Sequence, residues 1–242
     1  LDEIGPRYAA LTGGRPALSL PAAPAYTAYA RRQRDLVAQG AYDAHIAAWK
    51  ELLENRPQLL KLPTDRPRPA TQTHRGATRR LLVPRERLQP LFDLGASACG
   101  STDFAVLLSV HALLMSRLSG QDEVTIGTTL LNRPELDDLS TVGCFVNTAA
   151  LPFSLQDEDL TFRTLLDRTV AGLTGMLDLQ EAPYTKVLDA LDVPRDPSHH
   201  PVFQTILTVL GPPKQVRPGS SPATLQKSVK TLPGQITTLL HV

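Results

Sequence analysis

Hydrophobic positions along this chain recur with two periods, and the short period marks the stretch around which the rest is organised. Thr141 to Thr148 (TVGCFVNT) predicts a buried strand: Val142, Cys144, Phe145 and Val146 supply bulk, Gly143 leaves room for a close backbone, and Asn147 and Thr148 put polar atoms at its far end. Val124 to Thr129 predicts a second strand that ends the same way, with hydroxyls after Gly127. Two apolar strands that finish in small polar residues can wall a substrate channel. Ordinary core strands whose polar ends make turns are the alternative that the residues leave open.

The longer period predicts helices. Leu1, Ile4, Tyr8 and Leu11 fit a terminal helix interrupted by Gly5-Pro6, and residues 16–25 read as an extended Pro/Ala connector. A helical segment spans about Ala25 to Glu54, broken at Gly40, with Arg31, Arg32, Arg34 and Lys50 facing solvent. Four prolines between Pro57 and Pro69 exclude helix and central strand alike, so residues 55–76 form an extended loop. Arg79 to Val83 reads as a strand, and Pro84 opens a helix. Ser101 and Thr102 cap a helix over Phe104 to Ser119 that is apolar nearly all round and therefore deeply buried. Thr161 caps a helix to about Leu179, a short helix starts at Pro183, and Val202 to Leu210 alternates as a strand. Residues 211–224 read as a flexible bridge, and 225–242 allow one or two strands.

Composition narrows the picture. The chain has 242 residues, 42% of them hydrophobic and 20% charged, with a net charge of +1, which fits a packed core and excludes a nucleic-acid binder driven by bulk charge. Cys99 and Cys144 lie in separate apolar runs and read as buried free thiols of a reducing cytoplasm, without a disulfide or a zinc site. No run of about 18 apolar residues marks a membrane span, and Leu1-Asp2-Glu3-Ile4 is no signal peptide and suggests a chain excised from something longer.

Few residues announce chemistry. His199-His200, with Asp196 nearby, has the composition of a general base and its orienting carboxylate, but no nucleophile stands beside it. His111 falls inside the most apolar helix and reads as a hydrogen-bonded core histidine. No nucleophile elbow, phosphate loop, zinc helix or dinucleotide turn occurs, so no catalytic residue is assigned.

An ordered set of short motifs carries a resemblance. Tyr26 to Ala30, Leu62 to Ala70 with Arg75-Gly76, Ser119 to Asp122 with Ile126 to Thr128, Asn132 to Leu136, Val142 to Thr148, Gln180 to Tyr184 and Arg195 to Phe203 follow one another over roughly residues 20–210. Together they resemble the C-terminal part of a condensation domain of a nonribosomal peptide synthetase. The resemblance implies an α/β fold: a two-layer, chloramphenicol acetyltransferase-like lobe with a mixed sheet covered by helices on one face. It divides the chain into a remnant of the N-terminal lobe and connector (1–24), the C-terminal lobe (25–210) and a bridge with terminal strands (211–242).

That family joins an upstream acyl or peptidyl thioester to the amine of a downstream aminoacyl thioester, both carried on the phosphopantetheine of carrier proteins. The resemblance implies no directly bound cofactor and no metal. The partners it implies are peptidyl and aminoacyl carrier domains, the N-terminal lobe and an adenylation neighbour, with no nucleic acid and no membrane, in the cytoplasm. It places Asn147, Thr148, Gly127, Thr128 and Tyr29 on the substrate tunnel and makes Arg195, Asp196 and Ser198 a structural motif. The family's His-His-x-x-x-Asp-Gly motif is absent, because Pro201-Val202-Phe203-Gln204-Thr205 follows His199-His200. The pair stands where the later structural motif usually reads Arg-Asn. Pro183-Tyr184-Thr185 replaces Pro-Phe-Glu, Thr128 to Leu131 replaces a Thr-Pro-Val-Ala-like run, and Ala28 stands where an acid is common. The fragment by itself is therefore expected to be inactive. A condensation-like domain that recruits a partner protein, and an epimerising or cyclising relative, are the rival readings.

Overall fold

The structure is a computed structural model that describes residues 4–14, 22–133, 135 and 137–210, with residues 235–240 described as backbone. Helices α1 (Ile4–Thr12), α2 (Tyr26–Ala38), α3 (Asp43–Leu53), α4 (Arg85–Cys99) and α5 (Asp103–Ser119) precede strand β1 (Glu123–Leu130). Strand β2 (Asn147–Ser154), helices α6 (Phe162–Asp178) and α7 (Tyr184–Leu191), and strands β3 (Thr205–Leu210) and β4 (Gln235–Leu240) follow. The sheet order is β2-β1-β3-β4. β1 pairs antiparallel with β2 from Glu123 opposite Ser154 to Leu130 opposite Asn147, β1 and β3 are parallel with Gly127 opposite Ile206, and β3 and β4 are antiparallel. The expected mixed sheet is present. Its parallel pair needs a long crossover, which the α6–α7 segment supplies.

Local chemistry sets the helix ends. The Thr102 hydroxyl accepts the Ala105 N–H at 3.2 Å, and Gly120 closes α5 in the left-handed conformation with its N–H on the Ser116 carbonyl. Thr161 caps α6 through the Thr164 N–H. Gly40, at φ +72°, separates α2 from α3, and a Cβ there would lie 2.7 Å from the Asp43 carboxylate.

The core sits between α5, α6 and the sheet. Val106, Leu108, Ile126 and Leu166 are fully buried. Ser109 of α5 donates to Thr169 of α6 at 2.8 Å, and Leu151 of β2 packs on Gly172 of α6. Trp49 anchors α3 by donating its indole N–H to the Leu179 carbonyl. Side chains alternate across a strand, so Ile126 and Leu151 share the α6 face while Gly127 points to the other, where the Phe203 ring covers it.

Several expectations are corrected. Residues 141–146 are not a strand: the Arg133 guanidinium takes the carbonyls of Asp138, Thr141 and Gly143, and the Tyr26 hydroxyl takes that of Cys144, so the acceptors a ladder would use are bonded to side chains. Asn147 consequently begins β2, and Val142 is 87% exposed. Residues 79–83 form no strand among the described residues. Helix α5 exposes one stripe, Val110, Leu114 and Leu118, because only its inner face meets α6 and the sheet. Cys144 is exposed, because its run is a loop, and Cys99 is only partly buried at the last residue of α4, against the cluster around Phe92. Gly5-Pro6 lies within the first turn of α1, where proline needs no hydrogen-bond partner. Arg32 faces the buried Asp138 carboxylate at 3.0 Å instead of solvent alone. The expected bridge at 211–224 lies outside the described residues.

Candidate functional site

A cavity of about 660 Å³ opens where the parallel pair β1 and β3 ends. Ligands of open α/β sheets gather beyond the carboxyl ends of the strands. Its walls come from the first turn of α5 (Thr102, Phe104, Ala105), the strand ends (Thr128 to Leu130, Thr208, Val209) and the second half of α6 (Val170 to Leu177). No lining residue is ionisable. The threonine hydroxyls are already engaged: Thr102 caps α5, Thr128 donates to the Leu207 carbonyl at 3.1 Å, Thr129 and Thr208 meet at 3.4 Å, and Thr174 donates to Val170. The cavity therefore presents mostly apolar side chains with a few hydroxyls and no charge.

Of the residues expected on a substrate tunnel, Thr128 lines this cavity. Gly127 is one residue away on the opposite face, where a Cβ would stand 2.5 Å from the Phe203 ring. Asn147 is a clip: its Nδ2 donates to the carbonyls of Gln180 and Ala182, 2.8 Å each, and its Oδ1 accepts the N–H of Thr148 at 2.9 Å and of Tyr184 at 3.2 Å. Its hydrogen-bonding capacity is spent on tying β2 to the α6–α7 turn. Thr148 stands next in β2, opposite Thr129.

Tyr29 is buried in an aromatic group with Tyr26 and Phe145, centroids 5.7 and 4.3 Å away. Burial, and then the neighbouring Tyr26, Tyr42 and Asp138, push its phenol above the usual range. The Arg133 guanidinium lies 4.1 Å over the Phe145 ring while its N–H groups bond the loop carbonyls. This group fastens the loop after β1 to α2. The motif positions were visible in the sequence, but the role of Arg133 as hub was not, because its partners are main-chain atoms.

His111, His199 and His200 each engage a neighbouring group. The His200 ring is tilted against Phe203, centroids 4.6 Å apart, and lies parallel to Tyr184 at 6.3 Å, with its Nδ1 on the Pro201 carbonyl. His199 Nδ1 meets the Ser198 hydroxyl at 2.8 Å. Asp196 accepts the Ser198 N–H at 2.8 Å, and bonding from Ser198 holds its carboxyl below the usual range. Arg195 is exposed and reaches Asp189 at 3.5 Å. Gln204, which sequence reasoning passed over, is fully buried and binds Leu60, Gln58 and His200, locking the proline-rich loop to β3. His111 bonds Thr205 Oγ1 at 2.8 Å, and burial lowers its pKa to about 4. Among the described residues no cluster of three His, Cys, Asp or Glu could hold a metal, and no single helix is long and apolar enough to cross a membrane.

The chain is similar to known proteins. The condensation-domain profile matches residues 1–236. A linear gramicidin synthase of Brevibacillus parabrevis is 34% identical over 209 residues, 86% of this chain and 3% of the relative. Phosphinothricin tripeptide synthetase PhsC of Streptomyces viridochromogenes is 35% identical over 181 residues, 74% of this chain and 16% of the relative. The chain thus spans a small part of the curated relatives it matches. The crystal structure of the X-domain from teicoplanin biosynthesis superposes with a TM-score of 0.75 and 26% identity, over 85% of this chain and 48% of that one. The fold is the expected chloramphenicol acetyltransferase-like lobe. On the match of profile, relatives and fold, this chain belongs to the condensation-domain family.

Proposed function

We propose that the chain is one lobe, chiefly residues 25–210, of an amide-forming condensation domain in a nonribosomal peptide synthetase. The reaction joins a carrier-bound acyl or peptidyl thioester to the amine of a carrier-bound aminoacyl thioester: nitrogen bonds to the carbonyl carbon, the carbon–sulfur bond breaks, and the thiol leaves with the amine proton. The profile match over residues 1–236 carries this reading. The uncharged cavity beside Thr128 supports it, since a substrate side chain entering there meets no competing charge. Thr128 lines that room, while Gly127, Asn147, Thr148 and Tyr29 act behind it by holding β1, β2 and α2 in register. Arg195, Asp196 and Ser198 keep the loop before β3 in shape.

The substrates arrive on phosphopantetheine arms of carrier domains in the cytoplasm, with an adenylation domain as neighbour. The reactive imidazole comes from a His-His-x-x-x-Asp-Gly motif in a second lobe, because His111, His199 and His200 are tied into local structure. The test loads the two flanking carrier domains of the parent synthetase and follows the amide product by mass spectrometry. Product from the parent and none from the 242-residue chain is expected; a parent with an intact motif and no amide would overturn the reading. A non-catalytic recruiter of a partner protein is the second reading, favoured by the departures from the family's motifs at Ala28, Tyr184 and Thr185.

A further inference from the structure

The cavity at the ends of β1 and β3 has a closed floor and an open rim. Ala105, Thr128 and Met176 line it and are buried. Leu131, just past β1, and Leu177, in the last turn of α6, line it too, yet they are 77% and 48% exposed. Large apolar side chains left in water at the mouth of a concave, mostly apolar wall are the mark of a ligand groove.

The first of these leucines is held in place by its neighbours. Asn132 is buried and turns the chain in the left-handed conformation, φ +47°, which asparagine tolerates better than most residues. Its Nδ2 donates to the Tyr29 hydroxyl at 3.5 Å, and the next residue, Arg133, donates to the Thr141 carbonyl at 3.0 Å. The chain is thus fastened at two consecutive residues directly after Leu131. Uncommon backbone conformations that the surroundings enforce gather at ligand clamps.

We propose that this cavity receives the side chain of one of the two thioester substrates, that it selects a bulky uncharged aliphatic or aromatic group, and that Leu131 and Leu177 are the residues that set this selectivity. The inference deepens the amide-forming reading above and rests on it. The room, about 660 Å³, falls in the range of about 300–1,000 Å³ that holds drug-sized molecules, so a phenyl ring fits as well as an isobutyl group. An apolar side chain entering there leaves water and covers the two exposed leucines. A carboxylate or ammonium would leave water for a wall with no counter-charge and with its hydroxyls engaged. Tyr29 acts through Asn132 and is a positioning residue for Leu131.

The first experiment titrates the parent condensation domain, methyl-labelled at leucine, with the N-acetylcysteamine thioesters of phenylalanine, leucine, aspartate and lysine. The Leu131 and Leu177 methyl signals should move with the phenylalanyl and leucyl thioesters at concentrations at least about tenfold lower than with the aspartyl and lysyl ones. No movement, or equal movement with all four, overturns the proposal. The second experiment measures amide formation by the parent synthetase with phenylalanine or aspartate placed on the upstream carrier in one arm and on the downstream carrier in the other, which tells which substrate the cavity serves. In Leu131→Lys and in Leu177→Lys, kcat/KM should fall for phenylalanyl and rise for aspartyl, changing their ratio by at least about tenfold in one arm, while Leu131→Met keeps the parent's preference. A fall shared by both substrates overturns the selectivity role, because damage to the fold produces no gain for aspartate. A parent that makes no amide from any substrate refutes the functional reading, and the titration then decides the cavity by itself.

Discussion

Asn147 Oδ1 accepts the N–H of Tyr184 at 3.2 Å, and this bond joins the first residue of β2 to the first residue of α7. Two carbonyls of the intervening turn, Gln180 and Ala182, take the other end of the same amide. Asn147→Ala strands these groups and should cost about 2–4 kcal/mol, read by denaturant unfolding. Asn147→Asp should cost at least as much, because a carboxylate would face two carbonyl oxygens. An unchanged midpoint in both variants would remove the clip from the account.

Phe203 lies on Gly127 so closely that any Cβ at 127 collides with the ring. Gly127→Ala should destabilise by about 1–3 kcal/mol. In the double variant with Phe203→Ala the two costs should fall short of additive, since the smaller residue admits the methyl group. Additive costs from a thermodynamic cycle would show that the clash is relieved elsewhere.

Asp138 is almost wholly buried beside Arg32, whose Nη2 meets both carboxylate oxygens at 3.0 and 3.2 Å. Removing the cation leaves a buried charge unpaired. Arg32→Ala should therefore destabilise by about 3 kcal/mol, and the added change Asp138→Asn should recover part of it. Equal stability of Arg32→Ala and the parent chain would place the carboxylate in contact with water.

Burial holds His111 at a pKa of about 4, below its ordinary value of 6.5. The unfolded chain then binds more protons than the folded one between those values, so stability is complete above pH 6.5 and falls as the pH drops towards 4. The loss over that window should approach about 3 kcal/mol. His111→Gln should flatten this part of the stability–pH curve; a curve of unchanged slope would assign the acid sensitivity to other groups.

The cavity beside Thr128 can be narrowed from α6 without touching a hydrogen bond. Leu173→Phe in the parent synthetase should raise KM for the substrate whose side chain enters there by about tenfold, with kcat changed less. Equal loss of both parameters for every substrate would point to damage of the fold instead.

Much of this protein was legible before any coordinates. Thr102, Gly120 and Thr161 act on their own helices, so capping chemistry set the ends of α5 and α6 within the sequence itself. Gly40 divided α2 from α3 for the same local reason. The ordered motifs also disclosed the family, and with it the mixed sheet. Tertiary structure decided what apolar pattern alone cannot: which extended run is paired. Val124 to Thr129 and Val142 to Val146 look alike as strings. The first finds β2 and β3 as neighbours, whereas the second has its carbonyls captured by Arg133 and Tyr26 from outside the run. The same physics turned Asn147 from the end of one expected strand into the start of another, since hydrogen bonds to distant main-chain atoms leave no period in the sequence.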